Sequence, residues 1–192
     1  MVQLIALVIL GLLVPDIAIA QQAGGVPTVD LSVEVFGTTL ADFSTRMDAY
    51  AELRRALEEG LPALKVTGNP TDIYQAEMLL AQRIRAARRD ADRGDIFTEN
   101  IRKGFRQLLR PVTNAATCRA IRDDNPGEFF YPVNSAYPKD KPLSTVPASI
   151  LNVLPRLPED VWYRFLDRDL ILHDSRANVI LDRIDDAIKC PS

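Results

Sequence analysis

Apolar residues in the middle of the chain recur at helical spacing. Between residues 38 and 122 they follow one another in steps of three and four, which places them on one face of an amphipathic helix. Thr39 and Asn69 are typical N-cap residues, and Pro70 suits the first helical position. The pattern predicts four helices, at about 39–61, 69–91, 96–109 and 113–122. The short turns between them favour an antiparallel, bundle-like arrangement.

The pattern changes to a strand-like one near the C-terminus. Residues 161–166 alternate and are rich in β-formers, and 170–173 can return antiparallel after a turn. Residues 179–188 fit a third strand running into a helix, or a helix throughout, and their periodicity does not decide between the two. A short helix at 148–154 precedes them. The predicted fold class is α+β, mainly α: a helical bundle-like region followed by a small C-terminal β-hairpin or meander.

Two irregular segments flank the helical region, 38–122. Residues 21–37, with paired glycines and a short β-prone stretch, are predicted to be a flexible lead-in. Residues 123–147 form a connector rich in proline and aromatic residues. The remainder, 148–192, is expected to pack on the helices, so that the whole forms one compact domain.

The first 20 residues have the pattern of a secretory signal peptide. The apolar run 4–14 is too short for the roughly 30 Å hydrocarbon core of a membrane, which needs about 20 helical residues. The small residues at 18–20 predict cleavage after Ala20. No Lys or Arg precedes the run, so an uncleaved N-terminal anchor stays an alternative. The protein is therefore expected to be exported, to the periplasm or the medium.

The chain has two cysteines, Cys118 and Cys190. In an oxidising compartment such a pair predicts a disulfide, and two unpaired thiols are the alternative. A zinc site is disfavoured because the chain holds one histidine and no second cysteine close to either. No metal or cofactor is predicted.

The net charge of -3 gives no reason to expect a nucleic-acid partner. Residues 75–110, however, hold nine basic and five acidic residues, a local balance of +4. This segment is either a patch for an anionic partner or a pair of solvated helix faces with internal ion pairs, such as Glu99 with Lys103.

Seven side chains form the candidate binding surface of the sequence. One part is a stripe of arginines at steps of four on the third predicted helix. The other is the group of aromatic residues in the connector, which either cover the core or line a groove. The seven are Arg102, Arg106, Arg110, Phe129, Phe130, Tyr131 and Tyr137.

No catalytic motif is present in the chain. His173, the only histidine, is the one candidate for a base of the usual kind, and a structural histidine is the simpler interpretation. Asp167, Asp169 and Asp174 surround the predicted hairpin and are conceivable divalent-cation ligands, but aspartate is also common in turns. No residue is therefore assigned a catalytic role.

Three stretches resemble a family of uncharacterised exported bacterial proteins to which no activity is assigned. They are LAQRIRAARRDADRGDIFT at 80–98, VNSAYP at 133–138 and YRFLDRDLILHDSRANVILDRI at 163–184. The resemblance implies export and a bacterial origin, and it transfers no functional residue.

Together these features favour a non-catalytic exported module for interaction or structure in the bacterial envelope, with an envelope protein or polymer as its partner. The alternatives are a carboxylate-dependent envelope hydrolase and a peripheral binder of anionic lipid through the arginine-rich helices. The sequence does not indicate an oligomeric state.

Overall fold

The computed structural model describes residues 31–61 and 69–191, which form five α-helices and three β-strands. In chain order these are α1 Leu31–Glu58, α2 Pro70–Ala87, α3 Glu99–Leu109, α4 Ala115–Asp123, α5 Ala148–Leu151, β1 Val161–Leu166, β2 Asp169–Asp174 and β3 Val179–Ile184. None of the helices in this part of the chain is long and apolar enough to span a membrane. The predicted signal peptide, 1–20, and residues 21–30 lie outside the described residues.

The fold is α+β and mainly α, as the sequence predicts. The three strands form an antiparallel meander in the order β1-β2-β3, which confirms the hairpin and settles the undecided C-terminal segment as a strand. Pairing between β2 and β3 shifts from Leu172↔Asp182 to His173↔Ile180. The shift leaves Leu181 as the extra residue of a β-bulge, so Leu181 and Asp182 are both wholly buried.

The main core lies between the helices and the inner face of the sheet. Three phenylalanine rings meet at its centre: Phe43 of α1 lies 4.8 Å from Phe105 of α3 and 5.6 Å from Phe97, measured between centroids. Tyr163 of β1 extends this group from the sheet side, with its ring centroid 6.2 Å from that of Phe105. Neither the helices nor the sheet can therefore bury their apolar faces without the other.

The connector covers the outer face of the same sheet. Tyr137 packs with Leu166, Ile171 and Ile180 in a second buried cluster. The connector also runs along the free edge of β3, where Ala136 forms a bridge with Val179. Covering an edge strand in this way removes a template for unwanted pairing with other chains.

The predicted disulfide is confirmed. Cys118 of α4 and Cys190 are joined, with their Cα atoms 5.8 Å apart. The bond ties the segment after β3 back to the helices.

The N-terminal boundary of the first helix was predicted too late in the chain. Residues 31–37, expected to belong to a flexible lead-in, are already part of α1, and Thr39 lies inside the helix rather than capping it. A tertiary contact explains why Thr39 continues the helix instead of capping it. Gly104 of α3 has no side chain, and a Cβ there would lie 3.1 Å from Thr39 Cγ2. The close approach packs α1 against α3 at Thr39, and such tertiary packing overrides a local capping preference.

The loop between α2 and α3 is longer than predicted. α2 ends at Ala87 instead of 91, and α3 begins at Glu99 instead of 96. The buried carboxylate of Asp182 holds this loop, since it accepts hydrogen bonds of 2.7–3.1 Å from the backbone N–H groups of Gly94, Ile96 and Phe97. These donors are therefore satisfied by β3 and not by a helix.

The N-caps confirm the remaining helix signals. Asn69 accepts from the N–H of Thr71 at the start of α2, as predicted. α4 begins two residues later than predicted, after its cap Asn114, and α5 is a single turn that ends at Leu151 instead of 154.

Candidate functional site

The structure separates the four candidate aromatic residues by exposure. Tyr137 is 2% exposed, and Phe129 and Tyr131 are half-buried against the outer face of the sheet. Phe129 lies edge-on to both tyrosine rings, with centroids 5.1 Å and 5.5 Å away. Phe130 alone points outward, with 86% exposure. Three of the four therefore serve mainly as a cover for the sheet.

The three arginines predicted as a stripe on the third helix differ in their contacts. Arg102 donates to the Phe97 carbonyl at 2.9 Å and pairs with Glu99 at 2.7 Å. Arg106 donates to the carbonyls of Asp185 and Asp186, at 2.8 Å and 3.2 Å.

Arg110 is exposed and has no ion pair within the described residues. The candidate surface as a whole stays a prediction, and the structure brings only some of its members together.

His173 is a buried structural histidine. Nε of Arg164 can only donate, so Nδ1 of His173 accepts that 3.0 Å bond. Nε2 then carries the proton and donates to Oδ1 of Asn178 at 2.9 Å. Burial lowers the pKa of His173 to about 4, and the charge of Arg164 acts in the same direction. With both nitrogens engaged and no access to solvent, this ring is not placed to act as a base on a ligand.

A group of carboxylates surrounds Arg54 of α1. The guanidinium contacts Glu58 at 3.0 Å, Asp160 at 2.6 Å and Asp174 at 3.7 Å. Asp174 is wholly buried and also accepts a 2.6 Å hydrogen bond from the Tyr50 hydroxyl. The cluster therefore ties α1 to the open end of the β1–β2 hairpin, where Val161 is paired with Asp174. Its innermost carboxylate, Asp174, is wholly buried and has no path to a substrate.

The three aspartates considered as cation ligands are not gathered. Asp169 and Asp174 lie at opposite ends of β2, about 17 Å apart for a strand of this length. Asp169 binds the Tyr131 hydroxyl and the N–H of Asp186 instead. Across the described residues, no three His, Cys, Asp or Glu side chains are arranged to hold a metal ion.

A groove of about 850 Å³ lies beside β1 and is named the β1 groove. Its walls come from β1, from the loop that follows α5, and from the end of the connector. Its lining is mostly apolar, and two of its large side chains are open to solvent: Trp162 is 56% exposed and Leu151 48%. The groove is within the size range of ligand-binding pockets in proteins.

Trp162 is not among the candidate residues predicted from the sequence. Its strand alternates, so Trp162 must face away from the side on which Val161 and Tyr163 are buried. A large aromatic residue on the outward face of an edge strand is a signal that sequence alone offers. The β1 groove itself cannot be predicted from local pattern, because three separate segments of the chain form it.

Polar groups stand at the rim and wall of the β1 groove. Arg156 is exposed and, within the ranges that the structure describes, makes no hydrogen bond or ion pair. Arg164 is held by His173 and by the carbonyl of Ser144, at 2.8 Å. The wall at β1 is therefore rigid, while Arg156 at the rim is free to meet a partner.

Comparisons with protein-family models, with curated proteins and with solved structures gave no match to this chain. The resemblance to exported bacterial proteins therefore stays an expectation.

Proposed function

We propose that the protein is an exported, non-catalytic binding module of the bacterial envelope, and that its β1 groove holds an apolar segment of a partner protein. The observation that carries the proposal is the half-exposed Trp162 at the wall of an apolar groove of about 850 Å³. Tryptophan is the residue most enriched among those that dominate binding energy in protein interfaces.

Covering the exposed apolar side chains of the β1 groove contributes favourably to the free energy of binding. A tryptophan buries up to about 250 Å² of surface, so covering the exposed part of Trp162 at roughly 25 cal/mol per Å² contributes about 3 kcal/mol. Leu151 adds to this, since nearly half of it is exposed. A highly charged polymer cannot make use of apolar burial, so these residues favour a protein segment over a polymer as the partner.

The charged residues at the rim of the β1 groove also favour a protein segment as the partner. Protein interfaces combine an apolar centre with a polar edge that sets orientation. Arg156 and Glu159 both line the groove, and both have exposed side chains. A partner segment with an acidic residue beside its apolar anchor matches Arg156.

Export is supported by two independent features. Residues 1–20 have the pattern of a signal peptide, and Cys118 and Cys190 are joined in a disulfide, which persists in oxidising compartments. The resemblance to exported bacterial proteins agrees with both. For the hydrolase alternative, the carboxylates around Arg54 offer no support, because Asp174 is wholly buried.

Site-specific photo-crosslinking tests the proposal. A photo-reactive amino acid replaces Leu151 in the groove or, as a control, the exposed Phe130 outside it, and each protein is irradiated in envelope extract. We expect a discrete adduct from position 151 that is lost when Trp162→Ala is added, and no such adduct from position 130. The same adducts from both positions, insensitive to Trp162→Ala, would rule out the groove as the binding site.

Fluorescence then checks the identified partner in purified form. Trp162 is the only tryptophan of the chain, so its emission reports on the groove alone. Binding is expected to shift this emission to the blue as solvent leaves the indole ring. A partner that binds without shifting the emission binds elsewhere on the protein.

A further inference from the structure

A second concave site lies away from the β1 groove, between α3 and the segment after β3. It is a cleft of about 310 Å³ and is named the basic cleft after its lining residues. Arg106, Arg110 and Lys189 line it together with one acidic residue, Asp186. Three positive side chains from two distant parts of the sequence therefore share one small cavity.

The positive charge of the basic cleft is not neutralised by the protein. The carboxylate of Asp186 is paired with Arg168 at 3.1 Å, and Arg106 donates to neutral backbone carbonyls. Arg110 and Lys189 have no ion pair anywhere in the described residues.

The two basic residues near the start of α3 are neutralised by an acidic neighbour. Arg102 and Lys103 both pair with Glu99, at 2.7 Å and 3.4 Å. The unpaired charge is therefore confined to the end of α3 that forms the cleft.

A set of hydrogen bonds and a disulfide fix the two walls of the basic cleft relative to each other. Arg106 grips the carbonyls of Asp185 and Asp186 from α3. On the other side of Lys189, Cys190 is bonded to Cys118 of α4. Because like charges repel, these ties are needed to keep Lys189 beside the two arginines, and they prepare the cleft for an anion.

We propose that the basic cleft binds a phosphate monoester, either a free small molecule or an exposed headgroup. Guanidinium groups match phosphate oxygens with paired hydrogen bonds, and an ammonium adds a point charge. A phosphate monoester carries about -1.5 to -2 charges at neutral pH, which suits three unpaired cations better than the single charge of a carboxylate. A cleft of about 310 Å³ admits the phosphate and a small substituent.

The disulfide makes this site dependent on redox state. Reduction frees Cys190, so the adjacent Lys189 loses the covalent tie that limits its movement away from the cleft. The cleft then keeps only Arg106 of α3 and Arg110, directly after α3, as fixed cations. Oxidation in the compartment outside the cytoplasm therefore completes the binding site.

Calorimetric titration with glycerol 3-phosphate at low ionic strength tests the site. We expect binding by the oxidised wild-type protein, and affinity at least about tenfold weaker in Arg110→Gln and in Lys189→Gln, since each removes a charge-assisted contact. Both residues are exposed, so these variants should fold normally. Lys103→Gln is the matched control, because it removes the same charge from α3 outside the cleft, and it should change affinity less than twofold.

Vesicle flotation distinguishes the two sources of the phosphate. Binding to vesicles that contain phosphatidic acid, lost in Arg110→Gln and Lys189→Gln, supports the site with a headgroup as ligand even if glycerol 3-phosphate does not bind. No binding in either assay, or equal weakening by Lys103→Gln, overturns the proposal. A reducing agent should weaken binding while circular dichroism stays unchanged. Photo-crosslinking from position 151 should be unaffected by these variants, so the two sites succeed or fail separately.

Discussion

The hydroxyl of Tyr50 donates a 2.6 Å hydrogen bond to the carboxylate of Asp174, 124 residues further along the chain. Asp174 is wholly buried, and its other oxygen accepts the backbone N–H of Ala177 at 2.8 Å. Burial, helped by the Asp174 charge, raises the pKa of Tyr50 well above its usual value, so the phenol keeps the proton that it donates. This bond joins α1 to the end of β2.

The first prediction follows from this contact. Tyr50→Phe keeps the ring but leaves Asp174 with one donor fewer, so we expect the free energy of unfolding to fall by about 1–3 kcal/mol. Urea unfolding followed by circular dichroism measures the change. Tyr74→Phe is the control, because Tyr74 is exposed and should change stability by less than about 0.5 kcal/mol. Equal stability of both variants would show that the Tyr50 bond contributes nothing.

The second prediction concerns Asp182, which holds the loop between α2 and α3. Both of its oxygens accept backbone N–H groups, so in Asp182→Asn the amide nitrogen meets a donor whichever way the side chain turns. We expect a loss of about 2–4 kcal/mol in the free energy of unfolding. Faster hydrogen exchange at Ile96 and Phe97 should accompany it.

The control for this variant is Asp167→Asn. Asp167 lies exposed in the turn between β1 and β2 with a φ of +53°, which asparagine also tolerates. Its substitution should leave stability within about 0.5 kcal/mol of the wild type. A similar loss in both variants would mean that charge, and not the loop contact, explains the effect.

The third prediction is a pH dependence that originates in His173. Burial lowers its pKa to about 4 in the folded protein, whereas the unfolded chain has an ordinary value near 6.5. Between these values the unfolded state takes up a proton and the folded state does not, so stability falls as the pH drops from about 6.5 to 4. The loss at pH 5 should be about 2 kcal/mol.

Two measurements check the histidine. The chain has one histidine, so its ring resonance in a proton NMR titration is unambiguous, and it should not titrate above pH 5 in the folded state. Urea unfolding at pH 7.5 and 5.0 should show a smaller difference in His173→Gln than in the wild type. A folded-state pKa near 6.5 would contradict the buried arrangement.

The fourth prediction concerns the disulfide. It closes a loop with a sequence separation of 72 residues, and the chain-entropy model gives about 4 kcal/mol for such a loop. The double variant Cys118→Ser, Cys190→Ser should lose a few kcal/mol in urea unfolding, and adding a reductant should then have no further effect. A reductant that leaves the wild type unchanged would show that the bond is inaccessible or absent in solution.

Helices with one clear apolar face were predictable from local pattern. α2 and α4 begin at asparagine caps, and the periodic residues of α3 are the buried ones, because amphipathic spacing and capping are properties of neighbouring residues. That Thr39 lies inside α1 was not predictable, because Thr39 packs against Gly104, which lies some 65 residues later. The loop before α3 was predicted too short, because the residue that binds its backbone, Asp182, lies far along the chain in β3.

The candidate sites were also predictable only where they depend on neighbouring residues. The arginines of α3 were recognised by their spacing, but the spacing did not show that Arg102 is neutralised by Glu99 while Arg110 is left unpaired. Lys189 lines the same cleft as Arg110 because the Arg106 hydrogen bonds and the disulfide at Cys190 both hold the segment after β3 beside the helices. Trp162 and Leu151 share the β1 groove across a turn and a loop, and no local pattern reports such a meeting.

The sheet comes last in the sequence, yet its inner face completes the core on which the helices close. During synthesis, α1 to α3 are made before the sheet, so the apolar sides that they turn toward it stay uncovered until β3 arrives. The native core can therefore close only when nearly the whole chain has been made. Cys190 follows β3, so its bond to Cys118 is the last of the described contacts that can form.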